Sequence, residues 1–279
     1  MYAKNCLILL TIFLSLITCR NAQYFAHGYF LHLLPMLVLC GVAWATLREG
    51  TPPKTTRMFW ILVVTAVASF AMELFFQIYK RKPFDEHGVV TILSFTQLLL
   101  TCFVSFDIWR QRRKAGPLRL KDDSTIWLII ALGFAYLAAD EEILLHEGAG
   151  HSFHKLLGLA ETAWSSRLDD MLVGVYGVIG IIVLWLYRRE ICRFPLCLRL
   201  LKVGFVALLF SVVADGLSHR PDLFVSLLGR EQGMLFYELG ESADEIFKII
   251  GEIFFLTGLS SGLLHAKMDA ASQRTAAQA

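Results

Sequence analysis

Residues 89–109 read VVTILSFTQLLLTCFVSFDIW, and only Asp107 among them is an acid or a base of the Asp, Glu, Lys, Arg or His type. As a helix, a run of that length is about 30 Å long, the thickness of the hydrocarbon core of a bilayer. Lipid offers no hydrogen bonds, so each backbone N–H and C=O must find its partner inside the segment, and an α-helix provides that. Comparable runs recur at 5–19, 25–47, 58–78, 125–145, 170–187, 199–217 and 244–265. The expected fold class is all-α, a polytopic transmembrane helix bundle of about 7–8 spans. Residues 1–265 are expected to form a single bundle, with 266–279 as a disordered cytoplasmic tail. The first run, after MYAK, is read as a retained helix, although residues 1–22 also have a signal-like layout.

Composition agrees with this class. The chain is 56% hydrophobic and 18% charged, where soluble chains carry about 25% charged residues. Mean hydropathy is +0.57. The net charge of +2 says nothing about nucleic acid, but no basic patch is interleaved with aromatics, so no nucleic-acid partner is expected; the bilayer itself is the expected one. The six cysteines (Cys6, Cys19, Cys40, Cys102, Cys192 and Cys197) form no CxxC, which excludes a zinc knuckle or redox motif. They read as small apolar packing residues.

Lys and Arg in short loops orient such a chain, because positive loops stay in the cytoplasm. Loops 48–57, 110–121 and 188–202 are basic and alternate with the rest. All three, with both termini, are therefore assigned to the cytoplasmic side of the cell inner membrane. Lys80, Arg81 and Lys82 run against the assignment, one loop against three.

The same topology gathers carboxylates at the opposite, outer end of the spans. Asp140, Glu141 and Glu142 end the fifth span, Asp169 and Asp170 open the sixth, and Asp215 lies near the end of the seventh. Asp244 and Glu245 open the eighth, with Glu252 deeper, and Glu73 sits near the end of the third. Asp140 lies roughly 22 Å along its helix from Thr125, still within the hydrocarbon. An ionised group there costs roughly 2.5–3.5 kcal/mol unless it is paired, hydrated or neutralised. On the last span Glu238, Glu241, Asp244, Glu245, Lys248 and Glu252 share one face at helical spacing, reading as a wall of a polar cavity. A bound cation, shared protons or ion pairs would each accommodate these groups.

The stretch ADEEILLHEGAGHSFH (139–154) concentrates the chemistry. Glu142 and His146, at i and i+4, share a helix face and suit one metal ion. HEGAGH is one residue longer than the HExxH of zinc proteases, which puts its histidines on different faces and excludes that class. Candidate metal ligands are Glu142, His146, Asp215, Glu241 and Glu245; candidate catalytic acids and bases are Asp140, Glu141 and Glu147. With no thiolate among them, the expected cofactor is a divalent cation: Zn, Mn, Fe, Mg or Ca.

This pattern resembles a bacterial family of uncharacterised polytopic membrane proteins over residues 125–265. The shared features are Asp140-Glu141, four residues, His146-Glu147; then Asp215; then Asp244, Glu245 and Gly251. Where the family pattern often has a further acid, this chain has Lys248. A more distant analogy is to seven-span ceramidase and progestin-receptor-like hydrolases, which implies a zinc-type site in the bundle; their spaced histidine motif is missing here. The functional expectations are a metal-assisted hydrolase or lipid-modifying enzyme, a proton- or cation-coupled transporter, or an assembly subunit with ion-paired acids. A lipid or small ion is the expected ligand.

Overall fold

The protein is described by a computed structural model covering residues 47, 51–80, 88–113, 119–143, 168–218 and 221–278. Among these residues all regular structure is helical. The helices are α1 (Pro53–Lys80), α2 (Val89–Arg112), α3 (Thr125–Ile143), α4 (Leu168–Leu186), α5 (Arg188–Ile191), α6 (Pro195–Ser218), α7 (Pro221–Leu228) and α8 (Arg230–Gln278). Proline opens α1, α6 and α7, where its missing N–H would find no partner within the helix and its fixed φ suits the first turn.

Three segments among the described residues are long and apolar enough to cross a membrane: Val89–Arg112, Pro195–Gly216 and Asp244–Gln273. Val175–Leu186 of α4 is a shorter apolar helix. Helix edges follow the hydropathy reading to within a few residues at 58–78, 89–109, 170–187 and 199–217. Of these windows, 78% of that on α8 is buried in protein against 33% for α2 and α6, so the latter two keep broad outward faces.

The outward and inward faces invert the pattern of a soluble helix. On α2, Ser94, Gln97, Thr101 and Ser105 are buried while Leu100, Phe103 and Phe106 are exposed. The buried Thr101 and Ser105 hydroxyls donate to the Gln97 and Thr101 carbonyls at 2.7 and 2.8 Å, one turn back. Such bonding keeps small polar side chains satisfied within the helix. Exposed Ile179, Ile182, Trp185 and Leu186 line α4, and Leu209, Phe210 and Val213 line α6. A surface this apolar suits lipid rather than water.

By proximity the chain forms two units, Met1–Val90 with Gly204–Ile253 and Thr91–Val203 with Phe254–Ala279. In the first, Phe210 of α6 stacks on Phe247 of α8. There a Cβ on Gly251 would stand 3.0 Å from Leu208 Cγ and 3.1 Å from the Gly204 carbonyl oxygen, so α6 and α8 approach closely where a side chain is missing. In the second unit Gly258 is pressed against Leu200 and the Cys197 carbonyl, and Gly262 against Ile108 and Cys197. Trp127 and Phe194, both buried, meet edge to face.

On α4, by contrast, a Cβ on Gly177 would meet nothing within 4 Å, because that side of the helix faces outward. α8 continues unbroken to Gln278, through most of the residues expected as a tail. Its last residues are rich in alanine and lack Gly and Pro, so a helix nucleated in the core propagates at little cost.

Candidate functional site

In the first unit the acids of α6 and α8 come together. Asp244 opens the apolar part of α8, and the Ser211 hydroxyl of α6 donates a hydrogen bond to its Oδ1. Ser211 is buried. Glu245, Asp215 and Lys248 all act electrostatically on Asp244. Lys248 Nζ donates to Glu245 Oε1 at 2.9 Å, one turn along the same helix. One turn beyond Lys248, Glu252 is buried, its side chain held within the protein. The spacing 244, 245, 248, 252 therefore does what the helical period requires, and α6 adds Asp215 and the serine.

Of the sequence-derived candidates, this group joins Asp215 and Glu245 to Asp244. Glu241 lies on α8, but its side chain is outside the described residues, as are those of Glu73, Asp169, Asp170 and Glu238. His146 and Glu147 lie outside the described residues altogether. Among the described residues no three His, Cys, Asp or Glu side chains are arranged to hold a metal ion.

In the second unit, α3 carries Asp140, Glu141 and Glu142 at its end. Asp140 is buried, Glu141 half-buried and Glu142 exposed. One turn before Asp140, the Tyr136 hydroxyl pairs with the Tyr176 hydroxyl of α4 at 2.6 Å, and the two rings meet edge to face. The Asp140 charge bears on Tyr136.

A second polar group, at the other end of the same unit, was not marked by the sequence reading. Glu190 of α5 is 1% exposed. Its carboxylate accepts from Arg112 Nε at 2.7 Å and Arg112 Nη2 at 3.0 Å, a bidentate pair, and from Trp127 Nε1 at 3.2 Å. Arg193 Nη1 adds a longer contact of 3.4 Å. Burial opposes the charge on Glu190, but the hydrogen bonds from Arg112 and Trp127, with the positive charges of Arg112 and Arg193, outweigh it and hold the carboxyl below its ordinary value. The Arg112 guanidinium also lies over the Phe194 ring and 3.7 Å from Asp269, which in turn is 3.6 Å from His265 Nε2. Five segments (the ends of α2 and α8, the start of α3, α5 and the residue before α6) are thereby tied to one buried carboxylate. The available signal was a lone acid inside RREICR, a basic loop where solvent alone would favour only cations.

Helices able to cross a bilayer, polar where buried and apolar where exposed, define an all-α protein associated with membranes. Within that class the chain belongs to the family described as Domain of unknown function (DUF8692), which matches residues 87–263. The match covers both the Glu190 clamp and the Ser211–Asp244 group. No curated protein and no solved structure matches the chain. Membership of an uncharacterised family agrees with the sequence resemblance; the hydrolase analogy gains nothing from it.

Proposed function

We propose that this chain is a polytopic inner-membrane protein of seven or eight spans, with cytoplasmic termini, whose acid group near the outer face takes up a proton or a cation. One observation carries the reading: Ser211 of α6 binds Asp244 of α8, with Asp215, Glu245 and Lys248 coupled to the same carboxylate. Carboxylates gathered within apolar helices are costly to keep, and they serve ion and proton pathways in membrane proteins generally. A serine hydroxyl can donate to an ionised carboxylate and rotate to accept from a protonated one, so the pair tolerates both states. Lys248 supplies an internal cation that a bound ion or proton would have to displace electrostatically. The metal-assisted hydrolase reading needs His146 and Glu147, and the described geometry carries the ion-uptake reading without them.

Purified full-length protein in proteoliposomes tests this. Under an imposed pH or cation gradient the parent is expected to carry flux, or to bind a cation with a measurable thermal stabilisation. Asp244→Asn should abolish the response, and Ser211→Ala should weaken it by about 10-fold or more, the worth of one hydrogen bond to a charged group. A parent indifferent to proton and cation alike, in both assays, sinks the proposal.

A further inference from the structure

We propose that the outward face of α5, with the arginine-rich stretch after it and the exposed end of α4, is a binding site for the headgroup of an anionic phospholipid of the cytoplasmic leaflet. The charge is one-sided. Between residues 171 and 214 the only acid is Glu190, against Arg188, Arg189, Arg193, Arg199 and Lys202. That acid is buried and already saturated by Arg112 and Trp127, so it does not neutralise the surface. Arg188, Arg189, Arg193 and Arg199 are all exposed.

The array is also held still. Residues 187–198 form a continuous chain of tight backbone turns, from Glu190 N–H to the Tyr187 carbonyl at 3.0 Å through to Leu198 N–H to the Phe194 carbonyl at 2.9 Å. Glu190, Ile191, Phe194 and Cys197 point inward and are buried. The Tyr187 hydroxyl donates to the Leu120 carbonyl, pinning the entry to the turn. Guanidiniums on a fixed backbone lose little freedom when they bind a phosphate, and their planar forks match it.

Apolar surface adjoins the cations. Trp185 and Leu186, just before the turn, are 63% and 62% exposed, with Ile182 beside them on α4. Arg188 sits over the Trp185 ring at 5.0 Å, placing a guanidinium at the depth where tryptophan meets the headgroups. A phospholipid satisfies both parts, phosphate on the arginines and acyl chain along α4. A soluble anion satisfies only the first. The side of the membrane rests on the loop-charge orientation; none of the acid-group residues is used, so either reading can fail alone.

The full chain in neutral detergent, titrated with phosphatidylglycerol or phosphatidylcholine and followed by native mass spectrometry, decides it. Phosphatidylglycerol is expected to bind at least about 10-fold more tightly, with affinity falling as salt rises. R188Q/R189Q should weaken phosphatidylglycerol roughly 30-fold, at about 5-fold for each basic residue near a membrane surface. R188K/R189K, which keeps the charge but loses the planar fork, should fall between the glutamine variant and the parent. Equal binding of the two lipids, salt-independent affinity, a glutamine variant that binds as the parent does, or displacement of the lipid by millimolar inorganic phosphate overturns the proposal. If the glutamine variant does not fold, the parent's lipid preference and salt dependence decide alone.

Discussion

Glu190 shows how a single residue ties helices together. A buried carboxylate is costly by itself, but three hydrogen bonds from Arg112 and Trp127 make its burial tolerable. Removing it strands the Arg112 guanidinium, whose side chain is 15% exposed, and the indole N–H of Trp127. Glu190→Ala should therefore cost about 3 kcal/mol, and Arg112→Ala a similar amount. The double variant should cost clearly less than the sum, as read by reversible unfolding in mixed micelles. The pH dependence follows from the same bonds. The carboxyl is held below its usual value in the folded state, so its contribution is fully present above the unfolded value of 4.5. It is lost as pH falls through the lower, folded value. The parent should lose stability below about pH 4.5 more steeply than Glu190→Gln, in a thermal scan against pH. By contrast, Arg110 and Asp107 are 3.5 Å apart but largely solvated, and breaking that pair should change little.

At the scale of helices, contact between α6 and α8 is set by missing side chains. Gly251→Leu must displace Leu208 and the Gly204 backbone; even Gly251→Ala brings a Cβ to 3.0 Å of Leu208. The alanine variant should lose about 1–3 kcal/mol, an overpacking cost partly offset by better helix propensity. Gly177→Ala gives the control. Its Cβ enters open space, so the variant should be neutral or up to about 1 kcal/mol more stable, by the same unfolding measurement. Gly229 differs again. It separates α7 from α8 with φ of 82° and closes the shorter helix through its N–H to the Val225 carbonyl, so any L-residue there is strained.

At the scale of the whole molecule, the testable statement is orientation. Cys192 is exposed in the arginine-rich turn and Cys197 is buried a turn and a half later. With Cys192 as the sole cysteine, a membrane-impermeant maleimide should label inverted vesicles and leave intact spheroplasts unlabelled. The reverse result would place the basic loops outside and overturn the topology. A variant with Cys197 alone should stay unlabelled in both until unfolded.

The hydropathy pattern by itself determined the class and most helix positions, because lipid leaves a chain no choice but to close its hydrogen bonds locally over some twenty residues. The four-residue period likewise placed Asp244, Glu245 and Lys248 on one face before any tertiary contact was considered. Which acids meet across helices was not legible. Joining Asp215 and Ser211 to Asp244 depends on the register of α6 against α8, which Gly251 and Gly204 set by close approach. Nor did the sequence mark Glu190, since an acid amid arginines reads as a solvated ion pair until a buried tryptophan and a bidentate arginine are found to enclose it. Helix formation in a membrane is decided residue by residue along the chain; the partners of a buried charge are decided by neighbours distant in sequence, 78 residues away for Arg112 and Glu190.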